Sequence, residues 1–345
     1  MARSIVIAMA VIAIGRALSL SAAELDGTLL VINREDVAGS VSFFDLPTEK
    51  EIARVPIGSG WPHEVSVSPD GRLALTAEYG LETPGRRVVV IDVPSARITG
   101  YIDTGAGSKP HHTVFLPDNR HAIATLETSD RVALIDVAAL AVVETYPIGE
   151  AAREGHMLAL SPDGGRVYVG GRSGRGTVSV VNLDSSTPPA VIPTDLGAEA
   201  IAVAPSGDVW VLNQDANSIS VIDAQTLQIR ATFASATQPR RLASLPGGRI
   251  AVISGNAETA AIRIYEAGTR ALLSELDVPG ERAGAGGFGL LALGSSVFVS
   301  TRADGRILLY DLDQPDQPPV DFAIGHDTPD GMAWSPLRVD AMGAR

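Results

Sequence analysis

The chain has 345 residues, a formal net charge of −13 and no cysteine. The acidic balance excludes a phosphate-backbone partner, which needs a cationic face, so no nucleic acid is expected; it also opposes adhesion to an anionic membrane surface. Without cysteine there are no disulfides, no thiolate catalysis and no Cys-ligated zinc, and an exported chain must hold together by packing alone.

The N-terminus has the features of a targeting segment. Arg3 gives a thin positive region, Ile5 to Ile14 a short apolar one, and Ser19-Leu-Ser-Ala-Ala23 the small residues for a cut before Glu24. Residues 1–23 are therefore read as a signal peptide, and the product as periplasmic or secreted. The apolar run is broken at Arg16 and is short for a membrane span, so none is expected after cleavage. The alternative is a retained anchor.

From Trp61 to Gly105 the chain shows the plan that recurs throughout. Trp-Pro-His-Glu-Val-Ser-Val runs into the turn Ser68-Pro-Asp-Gly71. The apolar run Leu73 to Ala77 follows, then Arg87-Val-Val-Val-Ile-Asp92, then a run ending at Gly105. That is four short strands with turn chemistry between them. Third strands ending in an acid or amide recur at Asp45, Asp92, Asp136, Asn182, Asp223, Glu266 and Asp311, 41 to 47 residues apart. This is the period of a four-stranded propeller blade. The plain role for these side chains is to cap the turn that follows. Turns like the first recur at Leu116-Pro-Asp-Asn119, Ser161-Pro-Asp-Gly164, Ala204-Pro-Ser-Gly207 and Leu245-Pro-Gly-Gly248. Proline presets φ there, and Gly or Asn accepts the positive φ after it.

After the cut, the chain starts with Gly27-Thr-Leu-Leu-Val-Ile32, which reads as a second strand. It finishes with Pro329-Asp-Gly-Met-Ala-Trp-Ser-Pro336, which reads as a first strand. The C-terminal strand should therefore complete the N-terminal blade and leave no open edge. The expected fold is all-β, a seven-bladed propeller over residues 24–336, with a loosely ordered tail at 337–345. No second domain is expected.

The chain resembles YVTN-type propeller repeats, a family of mostly exported seven-bladed proteins. The likeness rests on Pro62 to Arg72, on Val-Ile-Asp at Val90 to Asp92 and Val221 to Asp223, and on Val167-Tyr-Val-Gly170 where the signature tetrapeptide would stand. It implies a platform used by scaffolds, binding proteins and some enzymes, which leaves function open.

In such a ring the start of each innermost strand lines the channel mouth, where ligands sit. Alignment on the turn prolines places His63, His111, His156, Glu199, Arg240, Phe288 and Asp330 in one register. Glu64, His112 and Arg241 form the next ring out. Loops after the second strands bring Asn33, Glu78, Glu127, Arg172, Asn213, Asn256 and Arg302 to the same face. Of the six histidines, four fall at or beside this register. Three chemistries suit the set. His63, His111 and His156 could bind a divalent metal, with Glu64 or Glu199 nearby. His156, Glu199 and Arg240 could act as proton shuttle and oxyanion holder, residue types that look like those of lactonase and lactonising propellers. A hydrated polar mouth without chemistry is the third. Glu64, His112, Asn213, Arg241, Phe288 and Asp330 are the candidate ligand contacts. Arg240 and Arg241 could also be a surface ion-pair set.

Two loops qualify this picture. Gly284-Ala-Gly-Gly-Phe-Gly289 lacks the strand and helix a dinucleotide loop requires and reads as a flexible blade entry. Tyr79 to Arg86 could cover the mouth, and Trp61 is expected to pack between blades. The functional expectation is a monomeric exported binding protein whose top face takes a small molecule, a metal or a periplasmic protein. The rivals are a lactonase- or lyase-type enzyme using His156, Glu199 and Arg240, and a redox-system component docking a cofactor-bearing partner.

Overall fold

The computed structural model describes residues 25–34, 38–58, 61–80, 83–184, 186–255, 259–279, 288–302, 305–323 and 328–340. The expected signal segment, Asn256, the stretch 280–287 and the end of the tail lie outside these residues, as does the Phe288 side chain.

Strands fall where the apolar runs and turns place them. Blade 1 is built from β1 (Thr28–Asn33), β2 (Gly39–Asp45) and β3 (Lys50–Gly58). The other six blades each take four consecutive strands: Val65 to Asp103, Pro110 to Pro147, Gly155 to Pro193, Ala198 to Ala234, Pro239 to Asp277 and Phe288 to Ala323. The last strand, β28 (Pro329–Ser335), pairs antiparallel with β1, setting Thr28 against Ser335 and Leu30 against Ala333. Among the described residues this gives seven four-stranded antiparallel sheets, and the ring is closed by the C-terminal strand as expected.

Position in the blade decides the pattern of each strand. The second strand of blade 5, Val209–Asn213, is buried throughout because neighbouring blades cover both its faces. The fourth strand of blade 2, Arg97–Asp103, alternates exposed and half-buried because one face meets water. The apolar core lies between adjacent blades around the ring. Its largest fully buried member, Trp210, packs edge-on to Phe233 at 5.7 Å.

The turns behave as their residues require. Gly71 N–H donates to the Ser68 carbonyl at 2.8 Å with φ +78°, a conformation that favours glycine. The strand-end acids cap the next turn: Asp136 Oδ1 accepts from Ala139 N–H, and Asp223 Oδ1 from Gln225 and Thr226 N–H. Past β28, the Leu337 carbonyl accepts from the Thr28 hydroxyl, and Arg338 pairs with Asp26.

Candidate functional site at the channel mouth

A repeated β-bulge aims the site. In the inner strand of blade 5, Ala198 faces Asn213 and Ala200 faces Leu212, so Glu199 has no partner of its own. In blade 6 the unpaired residue is Arg240. In blades 3 and 4 the irregularity spans His111-His112 and His156-Met157. In blade 1 it falls at Asp330-Gly331. A bulge bends the strand and turns consecutive side chains away from strict alternation. It frees the register residues for the channel and lets Arg241 follow Arg240 inward. The inner strand of blade 7 pairs without interruption from Phe288 onward.

A second tier comes from the first residue past each second strand. Arg34, Glu127, Arg172, Gln214 and Arg302 hold this position in blades 1, 3, 4, 5 and 7. All of these but Glu127, together with His63, Tyr79, His156, Glu199, Arg240 and Arg241, line a cavity of about 150 Å³. A larger depression of about 530 Å³ runs along the outer wall of blades 3 and 4, past Tyr146, Leu183 and Pro188. No comparable cluster of charge converges there.

Charge organises the mouth. Asp330 is fully buried, and its Oδ2 meets Arg302 Nη2 at 2.7 Å, Arg34 Nη1 at 3.1 Å and His63 Nδ1 at 3.3 Å. Burial alone would raise its pKa. The His63 contact and the two guanidinium charges outweigh burial and hold Asp330 well below the usual carboxylate range. Burial lowers Arg34 to about 10, and its guanidinium lies 4.1 Å over the Trp61 ring. Trp61 thus supports a site arginine.

Arg241 ties two carboxylates together. Its Nη2 donates to Glu64 Oε1 at 2.8 Å, and its Nη1 lies 3.3 Å from Glu199 Oε1. Glu64 belongs to blade 2 and Arg241 to blade 6, so the pair bridges the channel between non-adjacent blades. These two were expected in an outer ring; the bulge carries Arg241 inward, and Gly331 clears the room for Glu64. A Cβ at residue 331 would sit 2.5 Å from Glu64 Oε2 and 2.6 Å from the His63 carbonyl. Burial and the Asp330 charge push Glu64 upward against the pull of Arg241.

His156 lies between carboxylates, with Nε2 3.6 Å from Glu199 Oε1 and Nδ1 3.7 Å from Glu127 Oε2. Burial opposes its protonation; the Glu199 and Glu127 carboxylates outweigh burial and raise its pKa. Glu199 is held low: burial would raise it, but His156, Arg241 and Arg172 prevail. The His111 ring stacks on His156 at 4.0 Å, and its pKa falls well below the ordinary value through burial and the neighbouring His156. His63 packs against both Tyr79 and His111.

The histidine trio expected to bind metal is therefore assembled, but its members differ in their partners. His63 Nδ1 is turned to Asp330. Among the described residues, the group with ligand atoms at metal spacing is His111, Glu127 and His156.

Other expected contacts lie elsewhere. His112 Nδ1 accepts from Leu158 N–H at 3.2 Å, which ties blade 3 to blade 4, and burial lowers its pKa to about 3. Asn213 is fully buried and donates to the Ser218 and Ser220 hydroxyls; Asn33 does the same with Ser40 and Ser42. Glu78 pairs with Arg87. Sequence reading passed over Arg34 and Gln214, choosing in each case the preceding asparagine, whose side chain bonds within its own sheet; Tyr79, read as the start of a loop over the mouth, lines the cavity.

No family model matches the chain, and no curated protein does. Among solved structures the chain is similar to Kuenenia stuttgartiensis hydrazine synthase, at 19% identity and a TM-score of 0.62 over 73% of this chain and 77% of that one. It is also similar to a functionally unknown protein from Desulfotomaculum acetoxidans DSM 771, at 15% identity and a TM-score of 0.68 over 91% and 100%. At these identities the likeness is one of fold.

Proposed function

We propose that the protein is an exported propeller that binds a small organic anion at its channel mouth. The observation that carries this reading is the state of the arginines. Five line one cavity, and among the described residues the Nε–H groups of Arg34, Arg240 and Arg241 are buried without an acceptor. Unmet buried donors cost about 1–3 kcal/mol each. Glu64, Glu199 and Asp330 leave the five guanidiniums in excess, on a chain that is otherwise acidic. A carboxylate or similar oxyanion supplies acceptors and charge together. Since a water occupies about 30 Å³ of liquid, a cavity of about 150 Å³ suits a compact acid.

Export belongs to this reading and rests on the Arg3 to Ala23 pattern. Kinship with YVTN-type repeats would fit it. Among the described residues no helix is long and apolar enough to cross a membrane.

The test is calorimetric titration with short mono- and dicarboxylates and inorganic phosphate. At least one should bind, and Arg240→Gln should weaken it about 10- to 100-fold with little change in melting temperature. Arg240 suits the purpose because, among the described residues, the one hydrogen-bond partner of its side chain is Gln238. If no anion binds, or if Arg240→Gln binds as tightly as wild type, the reading fails.

Lactonase- or lyase-type turnover is the second reading. Its observation is that His156, Glu199 and Arg240 line the same cavity. Turnover of a lactone panel that survives in His156→Ala would exclude the assigned residue.

A further inference from the structure

Three buried polar atoms with no hydrogen-bond partner among the described residues converge beside the arginine cavity. They are Nε2 of His111, Nδ1 of His156 and Oε2 of Glu127. The residues are 1%, 4% and 8% exposed, and each offers a ligand atom within 4.8 Å of those of the other two. Native proteins seldom leave one buried polar group unmet, and three converging ones call for a common partner.

The partner's chemistry follows from the other end of each side chain. His111 Nδ1 stands 3.3 Å from the His156 carbonyl; donating there leaves Nε2 as a bare lone pair. His156 Nε2 faces Glu199 Oε1 at 3.6 Å, which favours the proton on Nε2 and a lone pair on Nδ1. Glu127 Oε1 accepts from Tyr79 Oη at 3.2 Å and Lys109 Nζ at 3.3 Å, so Oε2 is the oxygen left over. With His156 neutral, two imidazole nitrogens and a carboxylate oxygen remain, all acceptors. A water has two protons and can serve two of them. A cation can serve all three.

We propose that His111, Glu127 and His156 form a binding site for one divalent transition-metal ion of the zinc or ferrous class. Two imidazoles and a carboxylate suit these borderline ions better than calcium or magnesium, which prefer all-oxygen sets. Ligand bonds near 2.0–2.1 Å put the ligand atoms roughly 3.3 Å apart in a tetrahedron. His156 Nδ1 and Glu127 Oε2 are already at 3.7 Å. The His111 and His156 rings lie 20° from parallel, and imidazole lone pairs lie in the ring plane, so seating the ion opens this stack. Glu199 behind His156, and Lys109 and Tyr79 behind Glu127, are the orienting groups such a site needs. The ion would leave coordination positions for an outside ligand, next to the cavity that His156 also lines. The site does not depend on anion binding, which is read separately on metal-stripped protein.

The test uses full-length protein stripped with chelator and titrated with Co²⁺, followed by its visible absorption, and with Zn²⁺ in a competition assay. One equivalent should bind, with the intense visible bands of low-coordinate cobalt. His111→Gln and Glu127→Gln should each weaken binding more than about 100-fold, and Glu199→Gln about 10- to 100-fold. Failure of the wild type to take up one equivalent overturns the proposal whether or not the variants fold. So does undiminished binding in Glu127→Gln, which would mean that a proton, and no metal, bridges Glu127 and His156. Loss of binding in His121→Gln would place the ion at the surface and overturn it as well.

Discussion

His63 stands among Asp330, Arg34, Arg302, Tyr79 and His111. Burial is the largest influence on it. The two arginine charges add to burial, Asp330 opposes it, and the pKa falls to about 4. His112 falls to about 3, again chiefly by burial. Unfolded, both would titrate near 6.5. The unfolded chain therefore binds more protons than the folded one between those values and 6.5. Stability is fully present above about pH 6.5 and declines as the pH falls toward 4. His156 acts in the opposite sense, because its raised pKa contributes stability at low pH that is lost as pH rises through that value. The lowered pair should prevail. Metal-stripped protein should lose roughly 2 kcal/mol or more between pH 7 and pH 4.5 from His63 alone. Urea midpoints across that range measure this, and His63→Gln should flatten the slope. An unchanged midpoint over the whole range would show that His63 titrates as freely as in the unfolded chain.

At the scale of the strand, the bulge is the device that makes a site out of a repeat. It is also the device that depends most on space. Ala at residue 331 would put its Cβ within 3.0 Å of the His63 carbonyl and the Glu64 backbone, so the inner strand of blade 1 or the Glu64 segment must move. Gly331→Ala should cost about 1–3 kcal/mol and disturb the Glu64–Arg241 bridge. A melting temperature equal to wild type would show that the segment yields freely. The strand scale also explains what could be read in advance. Counting from the turn prolines located His111, His156, Glu199, Arg240 and Asp330, because the distance from turn to strand start is nearly constant. It placed Arg241 in an outer ring because period-2 alternation holds only in an unbulged strand, and Glu64 there because the room left by Gly331 comes from the neighbouring blade. It preferred Asn33 to Arg34 and Asn213 to Gln214 because the last paired residue and the first unpaired one differ by a half-period, which no local residue pattern marks. The grouping of Glu127 with His111 and His156 had no local signal, since it arises between neighbouring blades.

For the molecule as a whole, closure rests on one strand. Removing residues 328–345 would leave β1 with an unpaired edge, although all its residues are now buried. That chain should aggregate or lose its cooperative melt, seen by size-exclusion chromatography and circular dichroism. A monomer melting at the wild-type temperature would mean that three strands suffice for blade 1. The same strand carries Asp330 to Arg34, Arg302 and His63. Translation runs from the other end, so all three are made before their counter-ion exists. Until Asp330 arrives, Arg34, Arg302 and His63 all lack this carboxylate. A chain short of this strand is thus unsealed and lacks the shared counter-ion at once, so the mouth and the ring are completed together.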